Sequence, residues 1–231
     1  MKRFGKTATG FFAFLTATAL NAASSTVSVP TSAAGWSGFM NVSEIPQNGG
    51  AYVFGSGWGT TDLRATFSGN VLSLACNTVN DTNSFWYIPS GGPGAIGNKI
   101  CDANFYNETT GVFQGQTLTF QGQVLANTLV GPTDALGNGW TAVAFIKDFA
   151  PDYSSSISQT IALTPGNFSV SLNLLNDPTR HVQYGFEVIG PDVWAGDPLT
   201  FNNIQIVPEP SSIALLGLGC LGTLVAARRR K

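Results

Sequence analysis

Between residues 24 and 207 apolar side chains recur at every second position. Leu118, Phe120 and Val124 alternate with Thr119, Gln121 and Gln123, and Phe168, Val170, Leu172 and Leu174 alternate with Ser169, Ser171 and Asn173. Val182, Tyr184, Phe186 and Val188 repeat the pattern against Gln183, Gly185 and Glu187. A period of two puts one set of side chains on one face of an extended chain, so these segments predict half-buried antiparallel strands. Further strands are expected over 52–54, 65–67, 71–75, 141–146, 160–163 and 201–207. Glycine- and asparagine-rich turns separate them, as in Gly49-Gly50, Ser68-Gly69-Asn70, Gly137-Asn138-Gly139 and Pro165-Gly166-Asn167. No window between residues 24 and 207 has the spacing of an amphipathic helix. Strands of this kind bury their apolar faces sheet against sheet, so the expected fold is all-β, a single antiparallel β-sandwich.

The two ends follow different rules. Lys2, Arg3 and Lys6 precede an apolar run from Gly10 to Leu20 and then small residues, the layout of a secretory signal peptide whose cut falls between residues 20 and 24. At the other end Pro208-Glu209-Pro210 is followed by an uncharged apolar stretch over 211–227 and by Arg228, Arg229, Arg230 and Lys231. Seventeen helical residues reach roughly 25 Å, a short but adequate membrane span. The basic cluster stays cytoplasmic and leaves the rest of the chain outside. The prolines keep the Pro-Glu-Pro segment extended. Inside the span, Gly217, Gly219 and Gly222 have the spacing of a dinucleotide loop but lack its strand and distal acid. The organisation expected is a signal peptide over 1–23, a β-sandwich ectodomain over 24–207 and a sorting segment with a transmembrane helix over 208–231.

Removing the two ends changes the charge picture. Only Arg64, Lys99, Lys147 and Arg180 remain against thirteen acids up to Glu209, a formal charge of −9 hidden by the overall −2. Such a surface repels phosphate backbones and excludes nucleic acid as a partner class. Cys76 and Cys101 lie in the exported region and form either a disulfide or two buried free thiols. With one histidine and no C-x-x-C there is no zinc site. His181 stands before a strand and reads as a hydrogen-bonded or solvent-facing strand end. No G-x-S-x-G elbow accompanies it, so a nucleophilic triad is not indicated. Glu44, Glu108 and Glu187 are available for glycosidase chemistry, but nothing along the chain pairs them.

The order Pro-Glu-Pro, apolar run, basic end resembles the PEP-CTERM sorting signal of Gram-negative bacteria that make extracellular polysaccharide. The resemblance implies that Pro208, Glu209 and Pro210 are recognised by an exosortase-type processing enzyme. It also implies an inner-membrane intermediate, and a mature protein at the cell surface or in the extracellular matrix. A second resemblance lies in residues 115–124 and in Phe201-Asn202-Asn203-Ile204-Gln205-Ile206, which look like strands of jelly-roll carbohydrate-binding modules with a galactose-binding-like fold. That resemblance implies a jelly-roll-like sandwich and a glycan ligand. Asn202 and Asn203 stand where such modules often have two aspartates, which removes the charge a calcium ion needs, so no metal and no cofactor are expected.

Sugar binding needs flat apolar surfaces with polar groups beside them. Trp86 and Tyr87 are the leading candidates, since consecutive residues of an extended chain point to opposite sides. Trp58 and Trp194 follow, with Asp102 and Asn104 as polar contacts or turn caps. The function expected is a non-catalytic glycan-binding surface or matrix protein with extracellular polysaccharide as partner. The alternatives are a structural or adhesive matrix protein without a defined ligand, and a glycoside-active enzyme.

Overall fold

The computed structural model describes residues 23–134, 136–197 and 201–209. The signal peptide and the apolar C-terminal segment expected from the sequence lie outside these residues. Among the described residues no helix is long and apolar enough to cross a membrane. A 3-10 turn spans Pro46–Asn48, and the described residues are otherwise mainly strands, loops and turns.

In chain order the strands are β1 (Ser24–Ser28), β2 (Ser37–Glu44), β3 (Tyr52–Trp58), β4 (Ala65–Ser68), β5 (Val71–Ala75), β6 (Thr78–Val79), β7 (Tyr87–Ile88) and β8 (Ile96–Gly97). They continue with β9 (Lys99–Thr110), β10 (Thr117–Asn127), β11 (Thr141–Phe149), β12 (Ser156–Ala162), β13 (Gly166–Asn173), β14 (His181–Pro191), β15 (Val193–Trp194) and β16 (Asn203–Val207). Two six-stranded sheets form the body. Sheet B runs β12-β11-β14-β9-β2-β3. Sheet A is organised around β10, which carries β13 along one edge and, on the other, β1 and then β16 end to end; β5 and β4 complete it.

The pleat explains the core. In β10, Leu118, Phe120 and Val124 face inward, and β14 answers with Val182, Phe186 and Val188. Ile204 and Ile206 of β16, Leu72 and Leu74 of β5, and Phe105 of β9 join them, so both sheets bury one face against the other. Trp36 fills the junction, stacked on Phe105 at 4.7 Å between ring centroids. A smaller cluster of Met40, Val42, Leu63, Cys101 and Ala103 continues the core toward β3.

Two expectations need correcting. The arrangement is not wholly antiparallel: β1 runs parallel to β10, and the short β15 and β6 also pair in parallel, in one of two further two-stranded sheets. The disulfide is absent, because Cys76 and Cys101 are both buried free thiols. Burial pushes the Cys76 thiol up to about 12 and raises that of Cys101 as well, so neither is a ready nucleophile.

Candidate functional site

Sheet B has a second face, turned away from the core. Residues two apart on a strand share a face, so β9 displays Asn104, Tyr106 and Glu108 there while Ala103 and Phe105 go inward. Register then sets the rows across the sheet: Phe39 of β2 opposite Asn104, and Asn104 opposite Glu187 of β14. Two rows further on, Glu108 stands opposite Gln183, and Gln183 opposite Lys147 of β11. Between these rows Tyr106 faces Gly185, where a Cβ would be pressed into Tyr106. The result is a groove of about 610 Å³, lined by Phe39, Tyr52, Tyr106, Phe149 and Tyr153 interleaved with Asn41, Asn104, Glu108, Lys147 and Gln183. From β3 to β11 it crosses four interstrand steps, roughly 19 Å.

The polar groups of this face are held in two linked sets. Asp102 accepts from Asn41 Nδ2 at 3.0 Å and from Asn104 Nδ2 at 2.6 Å, fixing both amides at the groove floor. Lys147 Nζ donates to Asn104 Oδ1 at 2.9 Å, pairs with Glu187 at 2.5 Å, and lies 4.2 Å from the Phe145 ring centre. Burial, and then the charge of Glu187, raise the Asp102 carboxyl above the ordinary carboxylate range, against the opposing bonds from Asn41 and Asn104 and the charge of Lys147. In the second set Glu108 accepts from Gln183 Nε2 at 2.6 Å and from the Tyr153 hydroxyl at 3.0 Å. Burial and the Glu108 bond push the Tyr153 phenol up to about 12.

Tyr153 belongs to the turn between β11 and β12 and has φ 57, a left-handed conformation uncommon for a residue with a side chain. Asp152 secures the turn by accepting from the Ser154 N–H at 3.0 Å and its hydroxyl at 2.6 Å. The Tyr153 ring lies flat on the His181 imidazole, 4.6 Å apart and 2° from parallel. Pro151 O can only accept, so His181 Nε2 at 3.2 Å carries the proton, and Nδ1 accepts from Thr110 Oγ1 at 2.8 Å in the neutral ring. The histidine is thus a hydrogen-bonded strand-end residue, as its sequence context predicts, and it sets the angle of a half-exposed aromatic plate.

The residues expected from the sequence are dispersed. Asn104 lines the groove and Asp102 supports it from beneath, both in mid-strand, where turn capping does not arise. Tyr87 is fully buried, its hydroxyl donating to the carbonyls of Val79 at 2.5 Å and Val193 at 2.8 Å, so it is a core residue. Trp86 is half-buried against the Met40 and Val42 cluster, with Phe54 and Phe85 at its edges. Trp194 packs edge-on to Tyr87 and over Gly91. Trp58 lines a different groove, 580 Å³ in volume, at the end of β3. Among the described residues no group of three or more acidic, histidine or cysteine side chains could hold a metal ion. Sequence reasoning missed Phe39, Tyr106, Phe149 and Tyr153. The signal that marks Phe39, Tyr106 and Phe149 is an aromatic at a position whose alternation assigns it to the polar side of a strand, as with Tyr106 after the inward Phe105; Tyr153, in a turn, carries no such signal.

At the end of the fold, β16 stops at Val207, and Pro208, which has no N–H to extend a ladder, begins the Pro-Glu-Pro segment. The chain is therefore an all-β body with an open groove across one sheet and a recognition peptide directly after its last strand. Residues 207–231 match the family described as the PEP-CTERM protein-sorting motif. The chain carries a PEP-CTERM sorting signal, which marks it as a protein exported and sorted to the cell surface through exosortase. No curated protein and no solved structure matches it.

Proposed function

We propose that this exported protein is a non-catalytic glycan-binding module, and that the outer face of sheet B takes a chain of neutral sugar. In this reading the sorting segment passes through a Gram-negative inner membrane and delivers the module to the extracellular polysaccharide. The carrying observation is the groove itself, in which five aromatic rings alternate with amide and charged groups over several strands. Pyranose rings have apolar faces and hydroxyl rims, and this alternation suits both. Catalysis fits less well. Asp102 and Glu108 each have both oxygens engaged and Glu187 is paired with Lys147, an arrangement that holds charges in place and frees no carboxylate to protonate a leaving group.

Affinity electrophoresis of the purified chain through gels containing neutral extracellular polysaccharides, with and without calcium, tests the reading. Retardation by one polysaccharide should weaken by about tenfold in Tyr106→Ala or Tyr153→Ala, the scale of losing one aromatic contact. Unchanged mobility in every gel would sink it.

A second reading draws on the sheet edges. β12 and β13 each pair on one side only, and neither carries a charge over Ser156–Ala162 or Gly166–Asn173. Such edges are templates for strand addition and favour a structural matrix role. Sedimentation showing concentration-dependent self-association without glycan would shift the weight to it.

A further inference from the structure

Four basic side chains lie among the described residues, and three of them have carboxylate partners. Lys99 meets Glu44 at 3.0 Å, Lys147 meets Glu187 at 2.5 Å, and Arg180 meets Asp148 at 2.7 Å. Arg64 makes no ion pair and no side-chain hydrogen bond among the described residues. In a region with thirteen acids and four cations, an unpaired guanidinium is not explained by a shortage of partners. It is also half-buried, between the buried Leu63 and Ala65.

Its backbone, by contrast, is held in a hydrogen-bonded turn. Arg64 has φ 60, in a turn closed by Leu63 N–H to Gly59 O and Ala65 N–H to Thr60 O, both at 3.0 Å. A side-chain-bearing residue is strained in this conformation, and glycine would adopt it freely. What the position uses is therefore the side chain. Arg64 lines the open groove of about 580 Å³ together with Trp58, Thr61, Asp62, Thr78 and Asn80. Trp58 packs its inner side on the Met40 and Val42 cluster and donates its indole N–H to Ser56 Oγ at 2.9 Å, which fixes the ring.

We propose that this groove binds a pyranose carrying a carboxylate, a uronic-acid unit of an acidic polysaccharide. The Arg64 fork takes the carboxylate by two parallel N–H···O bonds, the geometry for which a guanidinium is suited. The Trp58 ring flanks the sugar's apolar face. Asp62 and Asn80 receive and offer hydrogen bonds to the hydroxyls, with Asp62 beyond ion-pair distance of Arg64. The site is independent of the sheet B groove and lies on the core side of β3.

Titration calorimetry on the full chain in non-ionic detergent tests this, with trigalacturonate, its methyl ester and acetate as probes. The expected result is binding of trigalacturonate that is at least about tenfold weaker for the ester and is not displaced by acetate at the same concentration. Arg64→Gly should lose about tenfold or more while its melting temperature holds or rises, because the φ strain is relieved. Arg64→Lys, which keeps the charge without the fork, should fall between. Absence of binding, equal binding of the ester, displacement by acetate, or an Arg64→Gly affinity equal to wild type would each overturn the proposal. Tyr106→Ala separates the two sites: it should weaken retention by neutral glycan about tenfold and leave the trigalacturonate affinity where it was.

Discussion

Asp192 is fully buried behind Tyr87, and only one of its oxygens is satisfied, by the Lys99 backbone N–H at 3.0 Å. Its Oδ2 has no partner among the described residues, and neither does Oδ1 of the buried Asn77. Burial pushes its carboxyl up to about 7, against bonds from the Lys99, Asp192 and Asn98 backbone and the charge of Lys99. The protonated form is thus favoured by the fold. Between the ordinary value of 3.8 and about 7 the native state holds a proton the unfolded chain has released, so stability is full at the acid end and lost as pH rises. That window corresponds to on the order of 4 kcal/mol. Thermal unfolding should show a melting temperature that falls from pH 4 to pH 7 in the wild type. In Asp192→Asn, which cannot ionise, most of that slope should disappear. An unchanged slope would mean that another group carries the dependence.

At the scale of elements, β10 shows what alternation reveals and what it hides. Leu118, Phe120 and Val124 announce an inward face, yet position 122, which belongs to the same face, is glycine. The register supplies the reason: Gly122 lies opposite Phe168 of β13, whose ring occupies the space a side chain would take, and Val29 presses in from the segment after β1. Restoring the alternation should therefore harm the protein. Gly122→Ala should cost about 1–3 kcal/mol by overpacking, read as a lower melting temperature. No loss would mean that Val29 and Phe168 can withdraw. The same strand-level view explains the uneven reading of the site. β10, β13 and β14 were readable from period two alone, whereas β9, the longest strand, has outward positions filled by Asp102, Asn104, Tyr106 and Glu108. Their mixture of acid, amide and aromatic looks like loop chemistry in one dimension. It becomes a groove only when β2, β14 and β11 lie beside it, and no local pattern specifies those neighbours. The search for flat apolar surfaces led instead to Trp86 and Trp194, which pack against Phe54, Phe85 and Tyr87.

For the whole molecule, the order of the strands ties folding to sorting. β16 is last in the chain but not at an edge: it pairs with β10 on one side and β5 on the other, and Ile204 and Ile206 are completely buried between the sheets. Sheet A cannot close until Val207 has emerged, and the next three residues are the Pro-Glu-Pro of the sorting signal. Completion of the fold and emergence of the sorting motif are therefore nearly the same event. A chain ending at residue 209 should fold, with a cooperative thermal transition and resistance to protease. A chain ending at residue 202 should lose both ladders and two core isoleucines, about 2–5 kcal/mol for each side chain alone, which exceeds what a domain of this size can spare. Replacing Pro208, Glu209 and Pro210 by alanine leaves all of β16 in place. That variant should melt with the wild type yet fail to be sorted, because the signal for exosortase is gone while the sandwich is whole. Release of the alanine variant into the medium would separate the motif from sorting; a folded chain ending at 202 would separate β16 from closure of the sheet.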